Sequence, residues 1–254
     1  MLILTLFFSY NILAMGKNKG EFMKKVLLFF AMFCITLSAN ADTILVESNL
    51  NMDNFWNKNG KEAEKVISVA RKLIHDNELR RAPIMVEKTW RAVNASTNTY
   101  TKSILVSTSI LPYIDNDDEL AFVVGHELAH AQEAYGGALK LISMSYNSKK
   151  YEYKSDLKAI DYMVKSGYNP IAGIIVGDKI FDEPLWDWGF TYTHPKGSKR
   201  LMEMYEYIYK KYPSYLSSSM ANNVVFVDFV KQNQKEISSF QQKQAKKKKK
   251  AEIL

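Results

Sequence analysis

Residues 125–132 read GHELAHAQ, with His126 and His130 four positions apart and Glu127 directly after the first. On a helix, positions i and i+4 share a face, so both imidazoles can turn a nitrogen toward one point. Zinc takes nitrogen ligands at about 2.0–2.1 Å, and this spacing supplies two of them. Glu127 then stands where a carboxylate can take a proton from a water on the metal. Scattering the chain's own histidines and glutamates at random gives this pattern in roughly one sequence of three hundred, so chance is an unattractive explanation. The bland reading is a helix whose histidines are merely satisfied by hydrogen bonds.

A catalytic zinc needs a third protein ligand and an open fourth position. Downstream, YEYKSDLKAIDYMVKSGYNP places Glu152 and Asp156 four apart, so both emerge from one helix face. Glu152 fits the role of ligand, and Asp156 can accept a hydrogen bond from the far nitrogen of a ligand histidine. Alone, such a pair is usually a solvated face; after the histidine motif it completes the set. Further on, THPKGSKR contains His194 and Arg200. His194 could donate to an oxyanion at the attacked carbonyl or fill the open metal position at rest. Arg200 could brace that loop or pair with Asp156, and the spacing leaves both open.

These residues need elements to hold them. The spacing of Val66, Ile67, Ala70, Leu73 and Ile74 predicts an amphipathic helix within 54–81. APIMVE, TWRAVNAST and SILVSTSIL then read as strands. The motif helix opens with a capping-box signal, Asn116 followed by Glu119, and closes at Gly136 and Gly137. Helices are predicted over about 149–166, 170–181 and 198–212. No internal repeat is present.

In order, HELAH, YEYKSD with YMVKSGYNP, and THPKGSKR resemble the signatures of the HtpX-like and CAAX-prenyl-endopeptidase-like zinc metallopeptidases, metallopeptidase family 48. VNAST, ILVSTSILPYI and DELAFVVGHELAH extend the likeness, which spans roughly 61–212. The resemblance implies an α+β, gluzincin-like core in which the motif helix lies beside a small β-sheet, with a mostly helical C-terminal half. It implies one zinc per chain on His126, His130 and Glu152, with Glu127 as general base. Asp156 would orient His126, and His194 would be the transition-state donor or switch ligand. It further implies that a strand edge near Ile104 to Ser109, with Ile104, Val106 and Ser107, holds an extended or unfolded polypeptide by main-chain hydrogen bonds. Apart from the resemblance, Asn94 reads as a turn residue, with contact to substrate backbone as the alternative. The chain departs from its polytopic relatives in lacking multiple membrane spans, which favours a small peptidase of the cell envelope.

Composition limits the alternatives. The net charge is +7, but residues 1–41 carry +3 and residues 243–254 carry +5; subtracting both from +7 leaves −1 for residues 42–242. A nucleic-acid partner is therefore not expected. MKKVLLFFAMFCITLSANAD has the three-part layout of an export signal ending at Ala41, with translation expected to start at Met23; otherwise residues 1–38 could form an uncleaved anchor. The one cysteine, Cys34, lies inside that apolar run, so disulfide and thiolate chemistry are not expected after cleavage. The expected organisation is 1–41 targeting segment, 42–215 zinc metallopeptidase domain, 216–242 helical or irregular extension, and 243–254 disordered lysine-rich tail. That tail could touch an anionic membrane or envelope polymer. His75 reads as structural, and Trp186 and Trp188 read as buried rather than as a lid. The rival function is a proteolytically silent zinc-containing envelope chaperone or binding protein whose metal site His194 closes. Oligomeric state is not legible.

Overall fold

The computed structural model describes residues 43–46, 60–87, 95–181 and 197–252. All of them belong to one compact unit, Thr43–Leu254. Its sheet has four strands: β1 (Thr43–Val46), β2 (Ile84–Glu87), β3 (Ala95–Asn98) and β4 (Ser103–Ser107), in the spatial order β1-β2-β4-β3. β2 and β4 run parallel with Ile84 opposite Ile104, while β3 returns antiparallel on β4 with Ala95 opposite Val106. The β3–β4 turn is fixed by Asn98, whose Oδ1 accepts from the backbone N–H groups of Tyr100 and Thr101. The strand expected over 103–111 ends at Ser107. There the Ser107 hydroxyl accepts from the Ser109 N–H and starts a 3₁₀ turn, Thr108–Tyr113, that Pro112 could not have continued as a central strand.

α1 (Gly60–Asp76) buries one stripe, Ala63, Val66, Ile67, Val69, Ala70 and Leu73, as its period requires. α2 (Asp117–Ala134) carries the histidine motif and is buried on nearly every side. Its start is set by the Asn116 side chain, which accepts from the Glu119 N–H, while the Glu119 carboxylate reaches back to the Asp115 N–H. α4 (Ser148–Lys165) lies along α2, with Gly125 of α2 facing Ala159 of α4 so closely that an added Cβ would sit 3.4 Å from the Ala159 Cβ. Small residue on small residue brings the two backbones together, and the ligands of the two helices with them. α4 stops at Gly167, which takes the left-handed φ of +75° that ends a helix without a Cβ clash.

α5 (Ile171–Ile180) and β3 cover the other flanks of α2, and α6 (Gly197–Lys211) closes over α4 and α5. Between α2 and α4 runs a short helix, α3 (Ala138–Tyr146), which the apolar period alone did not single out. After α6 come α7 (Val224–Gln232) and α8 (Gln234–Glu252). The expected disorder of residues 243–254 gives way to helix as far as Glu252. Ile237 and Phe240 are buried, Gln241 donates to the Tyr205 hydroxyl, and a run of Gln, Ala and Lys propagates the helix once that half is anchored. No helix of the described residues is long and apolar enough to cross a membrane.

Candidate metal centre

α2 and α4 bring three ligand atoms into one triangle, with His126 and Glu152 buried and His130 partly exposed. His126 Nε2 and His130 Nε2 are 3.1 Å apart. Glu152 Oε2 lies 3.3 Å from His126 Nε2, and Glu152 Oε1 lies 3.1 Å from His130 Nε2. Bonds of about 2.0–2.2 Å to a tetrahedral zinc separate neighbouring ligand atoms by about 3.3–3.5 Å. The triangle therefore has nearly the dimensions of one face of such a site, and the donor set of two imidazoles and a carboxylate suits zinc.

Behind the triangle, His126 Nδ1 lies 2.9 Å from Asp156 Oδ1, an ion-pair contact rather than an aligned hydrogen bond. Asp156 is itself held by Arg200 from α6: Nε donates to Oδ2 at 2.7 Å and the second guanidinium nitrogen to Oδ1 at 2.6 Å. The same nitrogen approaches Glu152 Oε2 at 3.6 Å, and the guanidinium lies 4.0 Å from the centre of the Phe181 ring. A planar, bidentate cation stacked on an aromatic face leaves this ion pair one geometry. Of the two roles open to Arg200, the structure takes the pairing with Asp156.

Glu127 is buried beside the triangle. Thr97 of β3 lies over it, with Oγ1 2.7 Å from Glu127 Oε2 and 2.8 Å from the Glu127 carbonyl oxygen. One hydroxyl proton serves one of these acceptors at a time. On the other side, Phe122, Val123, Ile110 and Ile180 give the histidine and Glu127 an apolar wall.

The family model for peptidase family M48 matches residues 60–135, from α1 through both histidines to the end of α2. Over that segment the chain is similar to peptidase family M48. No curated protein matches it. The likeness is to a family of zinc-dependent metallopeptidases, and the His126, His130 and Glu152 cluster could hold a metal ion. Glu152 lies beyond the matched segment, so its place beside the two histidines rests on the geometry of α4.

The charge of the site favours a cation. Glu127, Glu152 and Asp156 are buried with Arg200 as the fixed positive partner, and uncompensated buried carboxylates are costly. Without metal, His126 answers this deficit. Burial opposes its charge, but the carboxylates of Asp156 and Glu152 outweigh burial and push its pKa up from 6.5 to about 10. Asp156 is held below the usual carboxylate range: burial opposes this, and Arg200 and then His126 overcome it. Metal binding at Nε2 competes with protonation of His126.

His194, Asn94, Trp186 and Trp188 lie outside the described residues. His75 is exposed at the end of α1, against Asp76 and away from the centre. One expectation is corrected. Ile104, Val106 and Ser107 were expected to line a free strand edge, but β4 is paired on both sides, by β2 and by β3, and these side chains are buried. Strand order follows from long-range pairing, which local sequence does not encode. Among the described residues the outer strand beside α2 is β3. Thr97 had escaped the sequence reading because nothing in VNAST signals a contact with a residue 30 positions away.

Proposed function

We propose that the protein is an exported zinc endopeptidase that hydrolyses unfolded or extended polypeptides of the cell envelope, with Glu127 as general base. The observation that carries this reading is the triangle of His126, His130 and Glu152 with an independent carboxylate, Glu127, directly beside it. Zinc bound there supplies Lewis acidity to the attacking water and the scissile carbonyl. Glu127 takes the proton of that water and returns it to the leaving amine. Thr97 holds Glu127 Oε2 so that the carboxylate keeps one orientation. Asp156 and Arg200 lock the His126 ring. An extended substrate adds along β3, the outer strand that lies beside α2 among the described residues, which puts its backbone beside Glu127. His194 is assigned to the oxyanion. Export rests on the MKKVLLFFAMF segment and its small residues at Ala39 and Ala41.

The test is casein digestion by the zinc-loaded protein, with and without chelator. Glu127→Gln is expected to keep its zinc and lose cleavage by at least about a hundredfold, the scale of general-base catalysis. A Glu127→Gln variant with full activity would overturn the mechanism.

A further inference from the structure

Three large apolar side chains stand exposed on α3: Leu139 at 85%, Ile142 at 54% and Tyr146 at 86%. Their spacing, i, i+3 and i+7, puts them on one face of the helix, while Met144 is the residue α3 buries. Single exposed apolar residues are ordinary, but a row of them along one helix marks an interaction surface.

The charge around this row has one sign. From Tyr135 to Lys150 there is no Asp or Glu, and Lys140, Lys149 and Lys150 are present. Two other segments reach the same end of α2. Lys102 Nζ lies 5.9 Å and the Arg80 guanidinium 5.1 Å from the centre of the Tyr135 ring. They bring with them the tip of the β3–β4 hairpin, where Tyr100 is 82% exposed, and the approach to β2. Neither 79–83 nor 99–103 contains a carboxylate. The nearest acid in the α2–α3 connection, Glu133, is buried beneath Lys140, Lys154 and Lys158 at 2.6–2.7 Å, three ammoniums on one carboxylate. This end is thus apolar, aromatic and positive, although residues 42–242 sum to −1.

We propose that this end of the molecule docks on an anionic lipid surface. α3 lies in the plane of the interface, with Leu139, Ile142 and Tyr146 among the upper acyl chains and the lysines at the headgroups. Tyrosines beside lysines around a short apolar row suit a boundary that is oily on one side and anionic on the other, and favour lipid over a protein partner. His130 sits four residues before the end of α2, and Glu152 four residues after the start of α4. Docking therefore holds the metal centre within a turn or two of helix of the bilayer surface. The face is defined without reference to catalysis.

The Thr43–Leu254 unit, compact in itself, is sedimented with vesicles of phosphatidylcholine and with vesicles containing phosphatidylglycerol. It is expected to bind the anionic vesicles about tenfold or more tightly than the neutral ones. Combined Leu139→Ser, Ile142→Ser and Tyr146→Ser, all at exposed positions, is expected to weaken that binding about tenfold. Replacing Lys246 to Lys250 by Gln is expected to weaken it less than about threefold, and a chelator to leave it unchanged. The proposal is overturned if the unit ignores anionic vesicles, or if the triple variant binds like wild type, including the case where the α8 lysines alone govern binding.

Discussion

Thr97 and Arg200 act on the centre without belonging to the ligand triangle, and each can be tested apart from it. Thr97→Val removes the hydroxyl that holds Glu127 Oε2, so kcat is expected to fall about tenfold with KM and zinc content little changed, and Thr97→Ser to restore most of it. Steady-state kinetics with parallel metal analysis checks this; an equal loss in Thr97→Ser would show that shape rather than the hydroxyl matters. Arg200→Lys keeps the charge on Asp156 but not the two-pronged grip, and zinc affinity is expected to drop about ten- to a hundredfold in competition with a chromophoric chelator. At this scale the sequence was informative wherever chemistry depends on helical spacing. His126, Glu127 and His130 share a few residues of α2, and Glu152 and Asp156 share a face of α4. It was silent on Thr97, whose contact depends on how β3 lies against α2, and ambiguous on Arg200, whose choice of partner depends on how α6 crosses α4.

The helices that carry the ligands are joined by features with measurable consequences. Glu133, near the end of α2, is held by Lys140 of α3 and by Lys154 and Lys158 of α4. Burial would raise its pKa, but the three ammoniums outweigh burial and lower it from 4.5 to about 2. A carboxylate depressed in the folded state stabilises above its unfolded pKa, and the stabilisation is lost as pH falls from about 4.5 through about 2. The urea midpoint of the wild type is therefore expected to fall between pH 5 and pH 3 more steeply than that of Glu133→Gln, and equal slopes would contradict this. In α5, a Cβ at Gly173 would meet the Phe122 ring 2.6 Å away, whereas one at Gly125 meets Ala159 at 3.4 Å. Gly173→Ala is expected to destabilise by about 1–3 kcal/mol, and Gly125→Ala by less, read as thermal midpoints. Elements were legible in the sequence where period and caps agree, as in α1, α2 and α4. They were not legible where tertiary contact decides, as in the place of β4 inside the sheet or the helix of α8 through its lysines.

Over the whole molecule, the unit Thr43–Leu254 sets a buried, carboxylate-rich centre beside an exposed apolar and basic end, within a chain whose termini hold most of the net charge. Composition located the terminal charge, but the basic end is assembled from three separate segments and exists only once α3, the approach to β2 and the β3–β4 hairpin meet at the end of α2. The centre is the part on which the enzymatic account depends. Metal-stripped protein dialysed against buffered zinc provides its most direct measurement, zinc bound per chain in the wild type and in Glu152→Ala. The account predicts one tightly held zinc in the wild type and its loss in the variant, since α4 supplies the third corner of the triangle. A wild type that takes up no zinc, or a Glu152→Ala variant that holds it equally tightly, would contradict it.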